Sequence, residues 1–131
     1  MPQHELSPLV LTFLSEHVST LEQFQLLVRV VQEEDRWWDA ASAARELGVT
    51  PRAALDALDH LAKHNLLDIR ITGDVRYQFR PGTEALRDAA AAVVEEFRRK
   101  PVAVLEVFTG VGRRSVRDFA DAFRIRKDDD R

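Results

Sequence analysis

Asp39-Ala-Ala-Ser-Ala-Ala-Arg-Glu-Leu-Gly48 runs through Val49-Thr50 directly into Pro51-Arg-Ala-Ala-Leu-Asp-Ala-Leu-Asp-His-Leu-Ala-Lys-His64. The first ten residues open on an aspartate, whose carboxylate can accept from the free N–H groups of a first helical turn. They close on a glycine, the residue best suited to the left-handed conformation that ends a helix. Thr50 can cap a second helix, and Pro51 fits its first position, where the N–H that proline lacks has no partner anyway. Ala54, Leu55, Leu58, Leu61 and Ala62 then recur at helical spacing, and the helix is expected to end near Asn65. Beyond it Leu67, Ile69 and Ile71, then Val75, Tyr77 and Phe79, alternate with other residues on either side of Thr72-Gly73-Asp74, the pattern of a hairpin. Helix, turn, helix and hairpin in that order predict a winged helix-turn-helix, mainly α with a small antiparallel β-wing.

On the N-terminal side, residues 1–6 read as a loose start. Ser7-Pro8 is a cap followed by a first-turn proline, and Leu9, Val10, Phe13 and Leu14 predict a short helix to about His17. Ser19-Thr-Leu-Glu22 has the spacing of a capping box. The helix behind it is expected to bury Leu21, Phe24, Leu27, Val28 and Val31, and to stop at the acidic run Glu33-Glu34-Asp35, which suits the negative end of a helix dipole poorly. Trp37-Trp38 should be a short extended piece whose two rings face opposite sides, leaving at most one free for a partner.

On the C-terminal side, Pro81-Gly82-Thr83 breaks the second strand and Thr83 can cap a helix to about Lys100, with Leu86, Ala90, Val93 and Phe97 on one stripe. Arg98-Arg99-Lys100 complements its C-terminal dipole. Pro101 favours a further helix through Phe108, although the β-branched content of 102–108 also allows a strand. Gly110 and Gly112 make a loop, Ser115 caps a last helix burying Val116, Phe119, Ala120 and Phe123, and the polar end is predicted to be disordered. The 131 residues therefore read as one domain. Its winged core spans 19–81, with flanking helices at 7–18 and 83–124 and a tail at 125–131.

Apolar residues make up 45% of the chain, ordinary for a folded domain, and there is no cysteine, which removes disulfides and thiolate metal sites together. No apolar run approaches bilayer-spanning length, and the first residues lack the basic-then-apolar pattern of a signal peptide. A soluble, cytoplasmic protein without a membrane role is expected. There is no Gly-rich phosphate loop, no Gly-x-Ser-x-Gly and no His-Glu-x-x-His. Gly110-Val-Gly112 followed by Arg113-Arg114 comes nearest to a phosphate cradle, and a short loop explains it better. The chain reads as a non-enzyme without cofactor or metal. His60 and His64 do stand one helical turn apart with Asp56 a turn earlier, a spacing that can hold a metal and that wet helix faces also carry.

Net charge is −3, and the segment 19–81 holds eight basic and ten acidic side chains. DNA affinity comes mostly from Lys and Arg neutralising phosphates, so this balance weighs against DNA binding unless a local basic face exists. The residues available for one are Thr50 as a phosphate contact, Arg52 at the start of the second helix as a reader of guanine, and Lys63 near its end. The wing adds Arg70 and Arg76, with Gln78 and Arg80 on the same outward face, and Arg76 is placed for a minor groove. The first expectation is a transcription regulator that binds duplex DNA as a dimer, with Thr50, Arg52, Lys63, Arg70 and Arg76 as its contacts, and it requires a positive stripe joining Arg52, Lys63, Arg70 and Arg76. If Asp56, Asp59 and Asp74 interrupt it, a protein partner becomes the better expectation. Ordinary solvated helix and strand surfaces account for the same residue types.

The pattern over residues 19 to about 98 resembles the MarR-like winged-helix regulators. Asp74-Val75-Arg76 matches the Asp-x-Arg that the family often carries in its wing, and Pro81-Gly82-Thr83-Glu84 resembles the family's exit from the wing into the next helix. The hairpin is shorter than is usual there. The resemblance implies a homodimer formed by the flanking helices, an arginine at position 76 entering the minor groove, and transcription regulation through duplex DNA. The whole chain also resembles small bacterial proteins of this architecture, especially at Phe119-Ala-Asp-Ala-Phe-Arg-Ile-Arg-Lys127, without implying a function.

Overall fold

The computed structural model describes residues 6–109. The expected loop at Gly110 and Gly112, the arginines at 113 and 114, the helix begun by Ser115 and the 125–131 tail lie outside the described residues. In chain order the elements are α1 (Pro8–His17), α2 (Leu21–Gln32), α3 (Ala40–Leu47), α4 (Pro51–Lys63), β1 (Leu67–Ile71), β2 (Val75–Phe79), α5 (Glu84–Arg99) and α6 (Pro101–Thr109). The fold is mainly helical with a small two-stranded antiparallel wing. Among the described residues two compact units stand out, one over 22–91, which holds the helix-turn-helix and the wing, and a helical one over 6–21 and 92–109.

In the winged unit the caps stand where local chemistry puts them. Asp39 accepts from the Ser42 N–H at 2.8 Å, the Ser42 hydroxyl lies 3.4 Å from the Asp39 N–H, and Gly48 ends α3 at φ 72°. Thr50 accepts from the Ala53 N–H at 3.1 Å, with Pro51 next to it. Asn65 takes the left-handed conformation at φ 67°, which asparagine tolerates better than most residues. It lets the chain turn out of α4 into β1, and the N–H of Gly82 donates to its carbonyl at 3.0 Å. A Cβ at Gly82 would meet the Asn65 side chain, so a larger residue there requires that side chain to move.

The buried faces correct three expectations. On α2 the buried residues are Phe24, Leu26, Leu27 and Val30, while Leu21, Val28 and Val31 are only half-buried. Seven of the twelve residues of this helix are apolar, so its composition permits a stripe on either flank of Phe24 and Leu27. On α4, Ala57 is buried with Ala54, Leu58 and Leu61, whereas Leu55 and Ala62 are half-buried. A small residue at 57 allows close approach, which a count of large apolar side chains overlooks. On β2, Gln78 is 7% exposed rather than outward in solvent. Its amide donates to the Asp35 carbonyl at 2.9 Å and accepts from Arg80 at 2.9 Å.

The wing pairs Leu67 with Phe79, Ile69 with Tyr77, Arg70 with Arg76 and Ile71 with Val75. Trp38 extends it by one bridge, exchanging both backbone hydrogen bonds with Tyr77 at 2.7 and 2.8 Å. Its ring is fully buried, with the Arg36 guanidinium 3.6 Å from the centroid.

In the helical unit, Ser7 caps α1 and Leu6 is buried, so residue 6 is not part of the loose start expected at 1–6. The Glu96 side chain is 7% exposed and accepts from the Ser7 N–H at 3.0 Å, which ties the start of α1 to α5. Arg99 and Lys100 stand 3.6 and 3.8 Å from the same carboxylate. Residues 102–108 form a helix, as the proline at its start favours. No described helix is long and apolar enough to cross a membrane.

Candidate functional site: the α4 and wing surface

The residues expected to contact DNA stand on two elements, the exposed side of α4 and the outward face of the wing. Arg52 lies in the first turn of α4 with its side chain 82% exposed, and Lys63 is exposed in the last turn. Thr50 is exposed as well, with its hydroxyl oxygen engaged in capping. Arg70 and Arg76 are direct cross-strand partners, so two like charges face each other, an arrangement that costs stability unless each finds a counterpart.

Each of them has found one. The Arg76 Nε stands 3.0 Å from the Asp74 carboxylate, and its charge adds to the Ser42 hydrogen bonds that chiefly hold the Asp39 carboxyl below its ordinary pKa. The Arg70 guanidinium lies over the ring of Trp37 at 4.4 Å. On α4 the Arg52 Nε stands 3.4 Å from Asp56, one turn on. Of the four cations required for a positive stripe, two are therefore matched by carboxylates two to four residues away.

Asp59 belongs to a different structure. It is half-buried rather than groove-facing, and the Tyr77 hydroxyl donates to it at 2.5 Å, which fastens the wing to α4. Burial first, then this hydrogen bond and the nearby negative charge, push the Tyr77 phenol far above its ordinary pKa. The pairing spans 18 residues, and nothing in the local pattern of either element announces it.

A second network stands behind the helix-turn-helix. Glu46 on α3 receives Arg36 at 2.7 Å and Arg29 on α2 at 3.1 Å, while Arg36 also reaches Glu33 at 3.2 Å. The Arg36 hydrogen bond is the main reason that the Glu46 pKa is lowered. Arg87 reaches Glu34 at 2.6 Å. These pairs engage many of the unit's remaining charges in holding elements together.

His60 and His64 stack at 4.3 Å between ring centroids. Among the described residues no group of three or more His, Cys, Asp or Glu side chains is gathered as a metal site would need. No protein-family model, curated protein or solved structure matches this chain at a significant level.

Proposed function

We propose that this chain is a protein-recognition module on a winged-helix scaffold, engaging its partner through α4 and the wing. The observation that carries the reading is the paired charge of this face: Arg52 with Asp56 and Arg76 with Asp74. Non-specific affinity for duplex DNA scales with the phosphates neutralised, the salt slope being about −0.9 per phosphate. An arginine that brings its own carboxylate to the phosphate contributes little net charge. On α4 and the wing, Lys63, Arg70 and Arg80 are then the cations without a carboxylate partner among the described residues. That falls far short of the roughly 6–10 phosphate contacts behind a strongly salt-dependent binder.

A second reading, a dimeric winged-helix transcription regulator that binds duplex DNA, is favoured by the exposure of Arg52 in the first turn of α4. Its i,i+4 pair with Asp56 is a surface pair worth only about 0.3–0.5 kcal/mol, so the guanidinium can leave it for a base edge.

Fluorescence anisotropy against random-sequence duplex DNA at low and moderate salt separates the two. On the first reading the wild-type chain binds at neither salt, and Asp56→Asn with Asp74→Asn creates salt-sensitive binding. Wild-type binding that falls steeply with salt, and falls again in Arg76→Ala, would replace the first reading with the second.

A further inference from the structure

β1 is the outer strand of the wing, and its backbone shows which groups face outward. Tyr77 spends its N–H and carbonyl on Trp38, on the far side of β2 from β1. Its cross-strand partner Ile69 therefore lies in a non-hydrogen-bonded pair, with its own N–H and carbonyl aimed away from β2. Strand periodicity gives Leu67 and Ile71 the same orientation. Arg80 donating to the Leu66 carbonyl at 3.0 Å agrees, since it places the ladder bonds on the even-numbered side of this strand. The Ile69 N–H is held at 3.0 Å by the carboxylate of Asp68, a local substitute for a neighbouring strand. Among the described residues no further strand joins this edge. Ile69 and Ile71 are 45% and 73% exposed beside it.

We infer that β1 pairs with β1 of a second copy of this chain, antiparallel about a two-fold axis through Ile69. An open strand edge with apolar side chains is a template for strand addition. What identifies the occupant as a second copy is the sequence Leu67-Asp-Ile-Arg-Ile71, which is complementary to itself when reversed. With Ile69 facing Ile69, Asp68 of each copy faces Arg70 of the other and Leu67 faces Ile71. All the outward backbone groups of Leu67, Ile69 and Ile71 then find partners. The adjacent registers that also keep outward groups opposed set Asp68 against Asp68 or Arg70 against Arg70, which like-charge repulsion disfavours. Asp68 exchanges the Ile69 N–H for a guanidinium, and the Ile69 N–H gains a carbonyl. The contact is smaller than a standard interface, so it forms as a weak, concentration-dependent association. It rests on the β1 edge and not on the proposed partner, although Arg70 belongs to both surfaces.

The chain has no cysteine, so a single introduced thiol reports one position only. Cα atoms in a hydrogen-bonded antiparallel pair lie about 5.5 Å apart, within the span of a disulfide. Under the proposed register Ile69→Cys meets itself at that distance, whereas two copies of Ile71→Cys are held about 14 Å apart. Mild oxidation of the full chain should form the covalent dimer of Ile69→Cys at least about tenfold faster than that of Ile71→Cys. Adding Arg70→Asp to Ile69→Cys should slow it by up to about tenfold, and adding Asp68→Arg as well should restore the rate. Restoration by the double exchange also excludes misfolding as the cause of slowing. Equal rates at positions 69 and 71, or a rate at 69 indifferent to the charge exchange, would overturn the pairing.

Discussion

Tyr77 joins three parts of the winged unit: β2, the Trp38 segment and α4. Its backbone takes both hydrogen bonds of Trp38, and its hydroxyl donates to Asp59 on α4. Because the folded protein holds its phenol well above the ordinary value of 10.0, an unfolded chain releases that proton first as the medium becomes alkaline. The contribution to stability is fully present below the ordinary pKa and is lost as pH rises from there toward the folded value. Tyr77 is the chain's one tyrosine, so phenolate absorbance is its private signal. In an alkaline titration that absorbance should appear together with loss of helical circular dichroism, not before it. Asp59→Ala should cost about 1–3 kcal/mol in a denaturant melt, because the buried hydroxyl loses its acceptor.

At the scale of elements, the boundaries were the legible part. Asp39 with Gly48, Thr50 with Pro51, and Ser7 with Pro8 act within four residues of themselves, and helix ends appear where those residues stand. Asp39→Ala should lower stability by about 0.5–2 kcal/mol. The Ser42 N–H, chief among the groups that depress the Asp39 pKa, makes this contribution dependent on the ionised form. It is present above the ordinary carboxyl pKa and disappears as pH falls through the folded value, so Asp39→Asn should flatten that part of an acid melt. The faces of the elements were less legible. The surplus of apolar residues on α2 left its orientation open, and Gln78 is buried because a carbonyl 43 residues away receives its amide. The candidate surface divides in the same way. The positions of Thr50, Arg52, Lys63, Arg70 and Arg76 could be read in advance, but the contacts of Arg70 with Trp37 and of Tyr77 with Asp59 depend on the tertiary fold.

Across the whole molecule, a net charge of −3 understates how thoroughly acids and bases are matched in the winged unit. Glu46, Glu33, Glu34, Asp56 and Asp74 each meet an arginine. In the helical unit Glu96 plays a comparable part, since a buried carboxylate there receives the backbone N–H that begins α1. Glu96→Ala should cost about 1–3 kcal/mol by denaturant titration, and Glu96→Gln less, because an amide oxygen still accepts from Ser7.

The adjacent tryptophans give the molecule an optical consequence. Trp38 is sealed from solvent, whereas Trp37 is half-buried under a guanidinium that belongs to the wing. Collisional quenching by acrylamide should therefore act on one indole and spare the other. Whatever draws Arg70 away from Trp37, whether a carboxylate of a second copy, a partner protein or a phosphate, bares that ring. The unmodified chain can thus report its own engagement as a rise in quenchable fluorescence, without an added label.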